Sequence, residues 1–137
     1  MILADTGPLV ALFDPKDGEH HRCRRTLQTI REPVCATVPV LTETFHMLGP
    51  ESTGSDRLRD FVIQGGLSLW FFDRATLARA FELMERYADH PMDLADASLV
   101  AAAESLGTRR IFTLDRGDFR TYRVRRGHRQ YELEILP

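Results

Sequence analysis

The sequence predicts an α/β fold, a parallel sheet with helices on both faces, and three observations lead there. Short apolar runs that read as buried strands alternate with longer segments whose apolar residues recur at helical spacing. Two of the runs, ILAD and IFTLD, end on an acid. The 137 residues, 43% hydrophobic and 28% charged, suffice for one domain spanning 1–137 with its own core.

Met1–Ala4 reads as a buried strand ending at Asp5. Pro8–Phe13 reads as a short helix, since proline is tolerated in a first turn. The polar turn DPKDGE leads into a helix over about Glu19–Ile30, and Pro33–Val38 is the second strand. Thr37 and Pro39 are start signals for a helix to about Leu48. GPESTGS is a loop, with Ser55 expected to cap a helix through Ile63.

Leu67–Phe72, bounded by two glycines and Asp73, is the third strand. Its Trp70, Phe71 and Phe72 read as core rather than as a base-stacking platform. Leu77, Ala80, Phe81, Met84 and Tyr87 give Ala75–Tyr87 a helical period. Asp93 caps the next helix, which Gly107 stops. Arg110–Leu114 is a fourth strand and Tyr131–Leu136 an edge strand.

No stretch approaches the roughly 18 apolar residues of a membrane helix. Cys23 and Cys35 lack metal-ligand spacing and read as packed, reduced thiols. The first ten residues carry no basic lead and are interrupted by Asp5, so they do not read as a signal peptide and the chain is expected in the cytoplasm. Net charge is −2, yet residues 109–129 hold eight arginines against Asp115 and Asp118, leaving −8 on the rest.

The acids carry the chemistry. In open α/β sheets the carboxyl ends of the strands face the ligand crevice, so Asp5 and Asp115 are expected to share one mouth. Glu43, about one turn into the helix after the second strand, projects over the same edge. Asp93 and Asp96 share the first turn of their helix, Asp93 chiefly as its cap. Crowded carboxylates repel one another unless a cation neutralises them. Oxygen-only donors point to Mg²⁺ or Mn²⁺ rather than zinc. Ions held this way activate a water against a phosphodiester, so nucleic-acid hydrolysis is the expected chemistry. A phosphoacceptor signalling domain would need a lysine after a later strand, whereas Lys16, in an early turn, is the only lysine.

In the stretches ILADTGPLVALF, VLTETFHML, DLADASLVAAAESLG and IFTLDRGDF the chain resembles the PIN-domain ribonucleases, particularly the toxins of VapBC toxin–antitoxin pairs. The resemblance covers residue 1 to about 119 and implies a three-layer α/β/α sandwich around a parallel sheet. It implies a Mg²⁺- or Mn²⁺-dependent endoribonuclease whose acidic quartet falls on Asp5, Glu43, Asp96 and Asp115, with Asp5 and Asp96 anchoring the main metal. Thr6 is the hydroxyl that orients ligands, and Asp93 and Asp118 are supporting candidates. Gly7 stands where the family often has Ser or Asn. The family also implies a homodimer and a cognate antitoxin covering the acidic groove. Leu9, Leu12 and Phe13 are candidates for such a surface.

Arg116, adjacent to Asp115, is the candidate RNA contact, and the arginines of 109–129 are expected to flank the mouth as a basic segment. The five histidines read as structural or exposed. A catalytically inactive PIN-like module that binds RNA or protein is the alternative, which the intact quartet opposes.

Overall fold

A computed structural model describes residues 1–137. The chain runs β1 (Ile2–Ala4), α1 (Thr6–Phe13), α2 (His20–Thr29), β2 (Val34–Thr37), α3 (Val38–Leu48), α4 (Thr53–Ile63) and β3 (Ser68–Trp70). It continues through α5 (Arg74–Arg86), α6 (Leu94–Leu106), β4 (Arg110–Phe112), α7 (Arg116–Thr121), β5 (Arg123–Arg126), β6 (Arg129–Glu132) and β7 (Glu134–Leu136).

Five strands form one parallel sheet in the order β3-β2-β1-β4-β7, and β5 and β6 pair separately as an antiparallel hairpin. The chain moves outward from β1 to β3, then returns to lay β4 on the other side of β1. That reversal opens a crevice at the carboxyl ends of β1 and β4.

Adjacent strand residues point to opposite faces. Ile2 and Phe112 pack with Ala11 of α1 and Cys23 of α2. Leu3, Ala36 and Ile111 join the core beside α6. The sheet is thus covered on both sides, the expected three layers. Helix α6 is buried along most of its length, from Ala95 through Ala103 apart from Asp96. A helix apolar nearly all round belongs inside, and its alanines let it lie close against β1 and β2.

Several boundaries differ from expectation. Helix α1 begins at Thr6, two residues before Pro8, because Asp5 itself caps it. Ser52, not Ser55, caps α4, accepting the Ser55 N–H at 3.0 Å. Gly54 then lies inside that helix, where an added Cβ would stand 2.5 Å from the Phe13 carbonyl oxygen. Only glycine allows this approach.

The third strand is short and lies on the sheet edge, with no neighbour beyond it. Trp70 and Phe72 are half-buried against each other, but Phe71 is 66% exposed and outside the core. Leu9 is 1% exposed, so it belongs to the core and not to a partner surface. The expected strand Tyr131–Leu136 divides at Leu133 into β6 and β7, which belong to different sheets. The basic segment folds into α7 and the hairpin, held by Val124 in the core and Tyr131 opposite it.

Cys23 and Cys35 are buried and unpaired, and burial pushes the Cys23 thiol up to about 11. No helix is long and apolar enough to cross a membrane.

Candidate active site

Two acids stand at the carboxyl ends of hydrogen-bonded neighbours, Asp5 after β1 and Asp115 shortly after β4. Asp5 Oδ1 accepts the Thr6 N–H at 2.8 Å, and Oδ2 accepts the Thr113 hydroxyl at 2.7 Å. The Thr113 oxygen in turn accepts the Asp115 N–H at 3.0 Å. One buried hydroxyl therefore ties both strand ends together.

The Thr6 hydroxyl donates to Glu43 Oε2 at 3.0 Å, joining α1 to the second turn of α3. Asp93 caps α6 by accepting the Asp96 N–H at 2.8 Å, as its position predicts. Asp96 Oδ2 accepts the Tyr122 hydroxyl at 3.2 Å. Asp115 caps α7 and accepts the Asp118 N–H at 3.1 Å, while Asp118 Oδ1 lies 2.5 Å from His90 Nε2.

These contacts gather Asp5, Glu43, Asp93, Asp96, Asp115 and Asp118 around one cleft of about 770 Å³. Thr6, Met47, Met92 and Leu114 also line it, and no lysine or arginine does. All six acids singled out from the sequence meet here.

The electrostatics follow from the crowding. Burial pushes the Asp5 carboxyl up to about 6; the bonds from Thr113 and Thr6 pull against this, and the charges of Asp115 and Glu43 add to it. Asp96 rises to about 7, through burial first and then the charges of Asp93 and Asp5. Asp115 is raised by burial and by its hydrogen bond to Asp118, which is itself lowered by that bond and by His90.

The wall is an all-oxygen donor set with uncompensated negative charge, surroundings that suit a hard divalent cation. As the side chains stand, no three acids or histidines are close enough to coordinate one ion. Binding therefore entails side-chain rotation toward the middle of the cleft.

Arg116 adjoins Asp115 but lies outside the cleft wall, its guanidinium donating to the Pro137 carbonyl oxygen. The expectation that residues 109–129 flank the mouth is corrected for most of its arginines. Arg109 and Arg110 stand at the amino end of β4, the opposite edge of the sheet, paired with Glu134 and Glu32 respectively. The hairpin runs away along α6, with Arg126 donating to the Gly107 carbonyl oxygen at that helix's far end.

Sequence reasoning missed Thr113, Tyr122 and His90. A threonine two residues before a strand-end acid is the signal that points to Thr113. Nothing in local spacing marks the other two.

The model of the PIN domain family matches residues 2–124. Ribonuclease VapC26 of Mycobacterium tuberculosis is 26% identical over 126 residues, covering 89% of this chain and 92% of the relative. Among solved structures, Mycobacterium tuberculosis VapC20, described as a sarcin-ricin loop cleaving toxin, superposes with a TM-score of 0.79 at 18% identity over 86% of this chain and 92% of that one. A toxin–antitoxin complex from Klebsiella pneumoniae matches with a TM-score of 0.70 at 17% identity, covering 88% and 92%. At these identities the two structures share the fold.

Proposed function

The chain belongs to the PIN domain family, and from that premise we propose that it is a metal-dependent endoribonuclease that hydrolyses RNA phosphodiester bonds as the toxin of a toxin–antitoxin pair. One observation carries the reading: six carboxyl groups line a single cleft with no basic side chain among them. Keeping like charges together is unfavourable unless a cation joins them.

Asp5 and Asp96 would hold the main ion, Mg²⁺ or Mn²⁺, with Glu43 and Asp115 joining through water or a second ion and Asp93 and Asp118 in support. Such an ion supplies Lewis-acid polarisation of a phosphoryl oxygen and eases ionisation of the attacking water. The chain's own residues do the positioning. Thr113 and the Thr6 N–H fix the two oxygens of Asp5, the Thr6 hydroxyl turns Glu43, and Tyr122 holds Asp96.

Hydrolysis adds water across the P–O bond. The water oxygen bonds to phosphorus, the bond to the leaving ribose oxygen breaks, the proton shed by water passes to a carboxylate of the wall, and the leaving oxygen takes a proton from solvent to become a hydroxyl. Arg116, at the rim beside Asp115, is the first candidate for holding an RNA phosphate.

RNA as substrate is supported by the curated relative, which is described as a ribonuclease. A cognate antitoxin is supported by the neighbour described as a toxin–antitoxin complex. The same reading has the protein act in the cytoplasm, paired with a second copy of itself.

The test incubates purified protein with a mixed RNA pool, with and without Mn²⁺, beside an Asp5→Asn variant shown by circular dichroism to be folded. New RNA ends that require both Mn²⁺ and Asp5 are expected. A fully active variant, or no cleavage of any RNA, overturns the proposal.

A further inference from the structure

The hairpin arginines left over from the cleft form a separate surface. Strand β5 spans α6 from end to end. Its predecessor Tyr122 touches Asp96 in the first turn, and Arg126 touches Gly107 just past the last. Asp96 and Gly107 stand eleven positions apart, roughly 16 Å at 1.5 Å per residue. Gly127, at φ +62°, closes the turn between β5 and β6 and fixes the tip.

At that tip Arg126 and Arg129 stand directly opposite each other in the antiparallel register. Like charges in that position destabilise a strand pair. Arg126 is relieved by the Gly107 carbonyl oxygen at the negative end of α6. Arg129 has no such partner, nor does the guanidinium of Arg125, which is anchored by its backbone N–H to Glu104. Both are exposed, as is the neighbouring His128, and the tip holds no acid. Arg109 and Arg110, by contrast, are paired with glutamates.

Resting on the nuclease reading, we propose that this tip is a second contact for the RNA backbone, gripping phosphates well away from the acidic cleft. Without a cation, an RNA strand at the cleft wall meets six carboxyl groups and no basic side chain, whereas Arg125 and Arg129, on opposite faces of the hairpin by its register, offer unpaired positive charge on both sides of the turn. The partner class is the RNA backbone rather than an acidic polypeptide, because the nuclease reading already brings an RNA to this chain and its phosphates place one charge at every nucleotide along the strand. An RNA that reaches both points is held in register. One that only fills the cleft is not.

The test measures binding of a single-stranded RNA of about 30 nucleotides in EDTA, where cleavage is silent, across a series of KCl concentrations. The double variant Arg125→Ala with Arg129→Ala is expected to bind more weakly and to lower the salt slope by about 1.4, at about 0.7 per phosphate contact on a single strand. The Arg125→Lys with Arg129→Lys variant is expected to keep the slope, which separates lost charge from lost fold. An unchanged slope in the alanine variant overturns the proposal. So does polyglutamate that competes with the RNA as well as a second RNA does. Failure of the nuclease reading shows separately, as RNA binding at the tip without cleavage when Mn²⁺ is restored.

Discussion

The Tyr122 hydroxyl donates to Asp96 Oδ2 at 3.2 Å, and this bond makes the chain's C-terminal segment part of the cleft. The ring is fully buried, edge-on to Tyr87 and Phe119. Burial and the Asp96 charge drive the phenol far above its ordinary pKa, so it remains a proton donor across the working range. In return its hydrogen bond draws the Asp96 carboxyl down, against the burial and neighbouring charges that raise it.

Tyr122→Phe keeps the ring and deletes only this donor. Asp96 then loses its one lowering side-chain partner, and its pKa moves further above 7. Losing an outer partner of a metal-binding carboxylate weakens metal affinity by about 10–100-fold. The Mn²⁺ concentration that half-activates cleavage is expected to rise by about that factor. The melting temperature drops by only the equivalent of about 1 kcal/mol, one hydrogen bond. Unchanged Mn²⁺ activation counts against the role given to the phenol.

Asp5 and Asp96 also make stability depend on pH. Their carboxyls are near 6 and 7 in the folded chain against a reference of 3.8. The folded state binds these protons more tightly than the unfolded state, so their contribution is full below about pH 4 and is lost as pH rises through 6 and 7. For Asp5 alone the loss by pH 8 is about 3 kcal/mol, at 1.36 kcal/mol per pH unit. A divalent cation favours the ionised form and opposes the trend. Melting in EDTA should fall between pH 5 and pH 8, Mg²⁺ should flatten the fall, and Asp96→Asn should melt above the parent at pH 8. A melting temperature independent of pH in that window would refute the assignment of these two acids.

What the sequence made legible was local. An apolar run followed by an acid identifies Asp5 and Asp115, because a parallel sheet sends strand ends to one edge. A helix start identifies Asp93 and Asp96, because three residues make one face. Thr113 and Tyr122 escaped since their partners lie 108 and 26 residues away. Ser52 and Ser55 are chemically equal caps, and both hydroxyls donate to the Gly49 carbonyl oxygen; what separates them is where the backbone enters the helix, which leaves Ser52 extended and accepting the Ser55 N–H. The hairpin was hidden because its core-facing positions amount to Val124 and Tyr131 among arginines. Charge count masked the alternation.

Glu104 tests how firmly that hairpin is docked. Its two oxygens accept Arg79 Nε at 2.8 Å and Nη2 at 3.0 Å, and Oε2 also accepts the Arg125 N–H at 2.7 Å. Both side chains are largely buried, 15% and 11% exposed, so α5, α6 and β5 meet at one carboxylate. Removing one member of a buried pair costs about 3–5 kcal/mol. Arg79 retains a bond to Glu82 at 3.2 Å, which favours the lower end. Glu104→Ala is therefore expected to lower the melting temperature by about 12 °C, at roughly 4 °C per kcal/mol for a chain of this size. Glu104→Gln, which still offers one oxygen, should lose about a third of that. Eight residues of α6, roughly 12 Å, separate Glu104 from Asp96, so cleavage per folded molecule at 25 °C should match the parent. An unshifted melting curve in the alanine variant, or cleavage lost while the melting temperature holds, would show that Glu104 serves the cleft and not the docking of β5.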